Sequence, residues 1–190
     1  MSPYHMLPLT LKDQRTLLEL ENELVEDTFR KYEAYVTSNS QVNPKRWRHL
    51  KSKDDLHIYA KRAKSASEKL CRPCCQSEVD DCDDGRDDLM FGTLNPTNDI
   101  MHVKASYVHD YDDGAVLASL ITPTVADPFR SVTVKWLQID LPLNSTGLIK
   151  NRDFICMEAS GILHFANGEC VGYLMLHSID TPLAQPLPNV

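Results

Sequence analysis

Apolar and polar positions at the start of the chain alternate with a helical repeat. Over residues 11–36, apolar or aromatic side chains recur at spacings of three and four, which predicts a long helix with one packed face. Thr10 is the predicted N-cap, with Asp13 three residues further on. The packed positions are Leu17, Leu20, Leu24, Thr28, Tyr32 and Tyr35. The positions assigned to solvent are Glu19, Glu21, Glu23, Glu26 and Asp27.

Beyond the helix, residues 56–61 alternate between apolar and polar side chains, which predicts a strand with one face in solvent. The later strands are largely apolar on both faces, so both of their faces are expected to be covered. Two short helices are also expected, one starting after Asp88 and one capped by Thr97. The turn Asn167-Gly168 lies between apolar runs and predicts a tight hairpin. The predicted strands are 46–51, 56–61, 115–122, 132–139, 154–165 and 169–180. Since these strands are joined by local hairpins, we expect an α+β fold with a mainly antiparallel sheet.

The segment 64–88 interrupts this pattern because it is rich in aspartate and cysteine and poor in apolar residues. It is interpreted as a flexible acidic loop. We therefore expect a flexible N-terminus at 1–9, one domain at 10–180 that contains this loop, and a proline-rich tail at 181–190.

Composition narrows the function classes. Of the 190 residues, 42% are hydrophobic and 25% are charged, which is typical of a folded protein, and the net charge is -7. An acidic chain argues against nucleic acid as the main partner, because phosphate binding needs a basic surface. The chain has no apolar run of the ~20 residues that a membrane span needs. Its first residues lack the basic start and apolar block of a signal peptide, so a cytoplasmic location with reduced thiols is expected.

The candidate catalytic and metal-binding patterns are weak. Four of the six cysteines lie at 71–82 but form only one knuckle of a zinc site, and the calcium-like run 80–85 lacks the required glutamate at its twelfth position. The chain lacks a Gly-x-Ser-x-Gly elbow and a glycine-rich phosphate loop. We expect no metal, no cofactor and no catalytic residues. An acid–base pair of Glu158 and His177 is the alternative that would make the protein an enzyme.

Several strings, taken in their order and spacing, resemble the START-like lipid-transfer domains, and most of all the divergent START-like proteins of oomycetes. The resemblance covers about residues 9–180 and is interrupted in the acidic segment. The strings are PKRW at 44–47, MFG at 90–92, NPT at 95–97, AVLASL at 115–120, DPFR at 127–130, VKW at 134–136, RDF at 152–154, EASG at 158–161, GY at 172–173 and HSID at 177–180.

The resemblance implies a helix-grip fold, in which a curved antiparallel sheet wraps a C-terminal helix around a lipid or other apolar ligand. Such domains carry or sense lipids without bond chemistry. Two departures stand out: an acidic segment replaces the family's third strand, and the family's later strand or strands and its gripping helix are missing after 177–180. The fold is therefore expected to be C-terminally truncated. The alternative is a ligand-free interaction or targeting module that pairs through its exposed last strand.

A ligand of this class would be held mainly by apolar contact, at about 0.8 kcal/mol per buried CH₂ group. Partners expected on this basis are the lipid or another apolar small molecule, transient contact with a membrane, and self-association through the last strand. Glu158 is expected to orient a ligand head group or a water molecule, with Lys135 or His177 as its ion-pair partner. The alternative is that Glu158 is a rim carboxylate in solvent. The predicted ligand-binding residues are Val132, Val134, Trp136, Phe154, Cys156, Glu158, Tyr173, Met175 and His177.

Overall fold

The computed structural model describes residues 7–39, 41–53, 56–62, 73–77, 83–106, 113–139 and 152–179. The fold is α+β, with one long helix, two short helices and antiparallel strands. The helices are α1 (Leu11–Thr37), α2 (Asp83–Thr93) and α3 (Asn98–Ala105). The strands are β1 (Trp47–Lys53), β2 (Leu56–Lys61), β3 (Pro73–Ser77), β4 (Asp113–Ile121), β5 (Ser131–Ile139), β6 (Arg152–His164) and β7 (Cys170–Ser178).

Helix α1 begins where the sequence predicts. The Thr10 hydroxyl accepts a hydrogen bond from the backbone N–H of Asp13 at 3.2 Å, and the Asp13 carboxylate accepts one from the backbone N–H of Thr10 at 3.0 Å. This reciprocal arrangement is a capping box, which satisfies two backbone donors at the helix start. The hydrogen bonds from the Thr10 hydroxyl and backbone lower the pKa of Asp13 from its ordinary value.

The described strands form two antiparallel sheets, β1-β2-β3 and β4-β5-β6-β7. The single curved sheet that the START-like resemblance implies is therefore not formed among these strands. The chain divides into two compact units in the same way: one holds residues 1–22 and 88–190 with the four-stranded sheet, and the other holds residues 23–87 with the three-stranded sheet.

The acidic segment 64–88 is not a continuous loop. Strand β3 lies within it and pairs antiparallel with β2, and α2 starts at Asp83 rather than after Asp88. Two physical reasons account for the difference. Strand pairing satisfies backbone N–H and C=O groups and needs no apolar side chain. Aspartates in the first turn of a helix are favoured by the positive end of the helix dipole.

Local sequence signals set the other element boundaries. Thr97 is the N-cap of α3, and its side chain accepts a hydrogen bond from the backbone N–H of Ile100. In the β6–β7 hairpin, Gly168 has a φ of 88°, in the left-handed region that favours glycine. The backbone N–H of Gly168 donates to the carbonyl of Phe165 at 3.0 Å, which closes the predicted turn.

Candidate functional site

The four-stranded sheet has one face covered by the first half of α1. This α1 face includes Ala115, Ala118, Val132, Val134, Trp136, Ile155, Met157, Ala159, Tyr173, Met175 and His177, as set by the strand register. Its centre is fully packed: Val132 and Val134 are 0% exposed and Trp136 is 1% exposed. Leu7, Leu9 and Leu17 pack against this core.

The opposite face carries α3 and the end of α2. This α3 face consists of Gly114, Val116, Thr133, Lys135, Leu137, Phe154, Cys156, Glu158, Ser160, Ile162, Leu174 and Leu176. The side chain of Asn98 in α3 accepts a hydrogen bond from the backbone N–H of Val116 at 2.6 Å, which ties the helix to β4. Near the end of β6, Ile162 packs against a small cluster of Met90, Leu94 and Phe129.

The predicted ligand-binding residues are split between these two faces. Six of them lie on the α1 face, whose centre is covered by other parts of the chain. These six are Val132, Val134, Trp136, Tyr173, Met175 and His177. Phe154, Cys156 and Glu158 lie on the α3 face. Because a sheet separates the two groups, a single ligand cannot contact all nine side chains. The ligand-binding role of these residues stays a prediction, and one ligand could contact only the residues of one face.

A buried ion pair occupies the middle of the α3 face. The Lys135 ammonium donates a hydrogen bond to the Glu158 carboxylate, and the two residues are 1% and 8% exposed. Burial lowers the pKa of Lys135 and raises the pKa of Glu158, while the attraction between the two charges opposes both shifts. The Thr133 hydroxyl, directly opposite Glu158 in the strand register, is buried and has no hydrogen-bond partner within the described part of the chain.

This geometry decides among the partners expected for Glu158. Lys135 is its partner, and the carboxylate is not a rim group in solvent. His177 pairs in register with Met157, so it lies on the α1 face, on the other side of the sheet from Glu158. The acid–base pair of Glu158 and His177 that an enzyme of this shape would need is therefore not assembled. The reason is the pleat, which sends neighbouring residues of a strand to opposite faces.

Lys104 of helix α3 caps the C-terminal end of helix α2. The ammonium of Lys104 donates to the carbonyls of Phe91, Gly92 and Leu94 at 3.2, 2.7 and 2.5 Å. The last carbonyls of a helix have no partner within the helix, and a cation there also opposes the negative end of the helix dipole. Partial burial lowers the pKa of Lys104, and the charge of Glu158 opposes that shift.

The α3 face is covered on one side and open on the other. Toward β4, Met101 of α3 is 1% exposed. Toward β7, Leu174 is 41% exposed and Leu176 is 42% exposed, and Phe154 at the start of β6 is 37% exposed. Leu176 lies directly opposite Glu158 in the register. Phe154, Leu174 and Leu176 therefore form an exposed apolar strip that borders the buried ion pair.

The sequence reasoning missed a second buried charge cluster. Arg130 donates to both carboxylate oxygens of Glu21 in α1, at 2.9 and 3.0 Å, and to the Tyr173 hydroxyl at 3.0 Å. Glu21 is 1% exposed, although the helical pattern assigns it to solvent. Its position four residues after Leu17, on the packed stripe, was the signal that could have revealed it.

Part of the cysteine cluster and of the calcium-like run lies outside the described residues. Cys71 and Cys82 lie outside the described residues, as does the start of the calcium-like run. Cys156 and Cys170 are thiols that form no disulfide. Across the described ranges, no three His, Cys, Asp or Glu side chains come together as a metal site would require.

No described helix combines the length and the apolar character needed to cross a bilayer. In comparisons with known proteins, no family model, curated protein or solved structure matches this chain.

Proposed function

We propose that the protein binds an apolar small molecule of the lipid class on the open part of the α3 face, without catalysing a bond change. The observation that carries this proposal is the exposure of Leu174 and Leu176 beside a buried ion pair. Two leucines that point the same way from an edge strand leave apolar surface in water. An acyl chain or ring laid along them would remove that surface from water at roughly 25 cal/mol per Å².

Polar groups at the edge of the strip suit the orientation of such a ligand. Ligand sites typically combine an apolar lining with a few polar groups that converge on one end. Here the Glu158 carboxylate, in a residue that is 8% exposed, lies on the same face as the leucines and directly opposite Leu176. The START-like resemblance supports the same reading, because it implies that one face of the sheet covers an apolar ligand.

The test is equilibrium binding of the fluorescent fatty acid cis-parinaric acid, followed by its emission. The double variant Leu174→Gln, Leu176→Gln is expected to weaken binding about thirtyfold, since each partly exposed leucine contributes about 1 kcal/mol of apolar contact. The matched control is Leu11→Gln, which changes a leucine that is 82% exposed on α1. Unchanged affinity in the double variant, with its circular dichroism spectrum intact, would overturn the proposal.

A second candidate function is that of an interaction module that pairs through β7, either with a second copy of this chain or with another protein. Strand β7 is an edge of the four-stranded sheet and its nine residues include no Lys, Arg, Asp, Glu or Pro. Natural edge strands usually carry such residues, which prevent further pairing. Sedimentation velocity separates the candidates: a monomer that binds parinarate supports the first, and a dimer that binds none supports the second.

A further inference from the structure

The three-stranded sheet carries a face rich in positive charge. Strand β1 contains a β-bulge at Leu50, between His49 and Lys51. Without the bulge, Arg48 and Lys51 would point to opposite faces, because strand side chains alternate with a period of two. The extra residue places Arg48, Lys51 and Lys53 on one face, opposite Ala60, Ile58 and Leu56 of β2 in turn.

The β2 positions that pair with these three cations hold no charged residue. Arg48, Lys51 and Lys53 are all exposed to solvent. Three exposed cations that face uncharged positions of β2 form a local positive patch on a protein whose net charge is -7.

We propose that this cationic face, defined by Arg48, Lys51 and Lys53, docks on the anionic headgroups of a phospholipid bilayer. Each Lys or Arg near an anionic membrane surface strengthens binding about fivefold. Apolar residues accompany the cations: the paired positions on β2 are aliphatic, and Leu50 at the bulge is 44% exposed. Cations mixed with aliphatic side chains fit the boundary between headgroups and acyl chains.

A nucleic acid fits this face less well. Sites for single-stranded nucleic acid combine cations with aromatic rings on which bases stack. Here the rings of His49, His57 and Tyr59 contact one another on the opposite face of the sheet, with the His49 and Tyr59 centroids 5.3 Å apart. The cationic face and the aromatic cluster are therefore separated by the sheet.

The docking proposal does not depend on the apolar ligand, since the cationic face belongs to the other structural unit. The experiment is co-sedimentation of the full chain with vesicles. One set is phosphatidylcholine alone, and the other contains about 30% phosphatidylserine to match an anionic leaflet. We expect binding only to the anionic vesicles, and we expect it to fall steeply as salt is added, because exposed charges are screened.

The triple variant Arg48→Gln, Lys51→Gln, Lys53→Gln is expected to lower the partition coefficient about 100-fold. The matched control removes the same charge from α1 with Lys12→Gln, Arg15→Gln and Arg30→Gln, and should bind within about twofold of the wild type if position rather than net charge matters. Should the triple variant not fold, Lys51→Gln alone is expected to give about a fivefold loss.

Three results would overturn the proposal. The first is equal binding to neutral and anionic vesicles, and the second is an equal loss in the triple and control variants. The third is displacement from vesicles by a short single-stranded oligonucleotide that binds the wild type but not the triple variant, which would assign the face to nucleic acid.

Discussion

The guanidinium of Arg130 binds the carboxylate of Glu21 through two parallel hydrogen bonds, across 109 positions of sequence. Arg130 precedes β5 and Glu21 lies in α1, so the pair fastens the helix to the α1 face of the four-stranded sheet. The Tyr173 hydroxyl of β7 joins the same guanidinium. The bidentate form is the strongest geometry available to an arginine and a carboxylate.

Removal of Arg130 is predicted to destabilise the fold. Arg130→Met leaves the carboxylate of Glu21 buried without a counter-charge, and we expect the free energy of unfolding to fall by about 3–5 kcal/mol. Urea denaturation measures this change. The control is Arg30→Met, which breaks the exposed pair of Arg30 and Glu26 and should cost no more than about 1 kcal/mol. Similar losses in both variants would contradict a special role for the buried pair.

Tyr173 is predicted to ionise late. Burial, opposed by the charge of Arg130, raises the pKa of its phenol from 10.0 to about 12. Because the folded state holds this proton more tightly than the unfolded chain, the stabilisation is complete below pH 10 and is lost as the pH rises toward 12. Absorbance of tyrosinate should show a step near pH 12 that Tyr173→Phe removes. Persistence of that step in Tyr173→Phe would assign it to another residue.

Lys135→Met is predicted to make stability depend on pH. Without the lysine, the pKa of the buried Glu158 carboxyl rises further above its ordinary value of 4.5. A carboxyl with a raised folded-state pKa destabilises the fold increasingly as the pH rises above that ordinary value. We expect a loss of about 3 kcal/mol in the free energy of unfolding at neutral pH and a smaller loss near pH 4.5.

Urea denaturation of wild type and Lys135→Met at the two pH values checks this. Lys31→Met is the matched control, since the side chains of Lys31 and its partner Asp27 are 46% and 54% exposed. An equal loss at both pH values would mean that the cost comes from packing rather than from the unpaired charge.

Gly161→Ala is predicted to disturb the Tyr173 contact. A Cβ atom at this position would lie 2.9 Å from the Tyr173 hydroxyl oxygen and 3.0 Å from its ring. The ring would have to shift, which disturbs the hydrogen bond from Arg130 to its hydroxyl, and we expect a cost of about 1–3 kcal/mol in the free energy of unfolding.

The same substitution elsewhere has the opposite expected sign. Gly92→Ala lies in α2 with nothing within 4 Å of the added Cβ atom, so we expect it to stabilise the helix by about 0.5–1 kcal/mol. Thermal unfolding of both variants tests the pair. A neutral Gly161→Ala would show that the tyrosine adapts without loss.

Several features of the fold could be predicted because they depend on neighbours in sequence. The capping box of Thr10 and Asp13 and the turn at Gly168 involve groups within a few residues of each other. The apolar runs predicted the four strands of the larger sheet, and each predicted end lies within two residues of the observed end. The candidate site was harder to predict from the sequence. The pattern identified Lys135 and Glu158, but it did not show which face of the sheet would be left open to solvent.

Sequence alone was sufficient for the α+β class, for most helices and strands, and for the antiparallel hairpins, because hydrogen bonds and side-chain periodicity act over short distances along the chain. Tertiary structure decided the burial of Glu21, the division into two sheets, and the separation of the predicted ligand residues onto opposite faces. These outcomes depend on which distant segments pair with or cover each surface. The bulge at Leu50 is a further tertiary feature, because its one additional residue places Arg48, Lys51 and Lys53 on the same face of the smaller sheet.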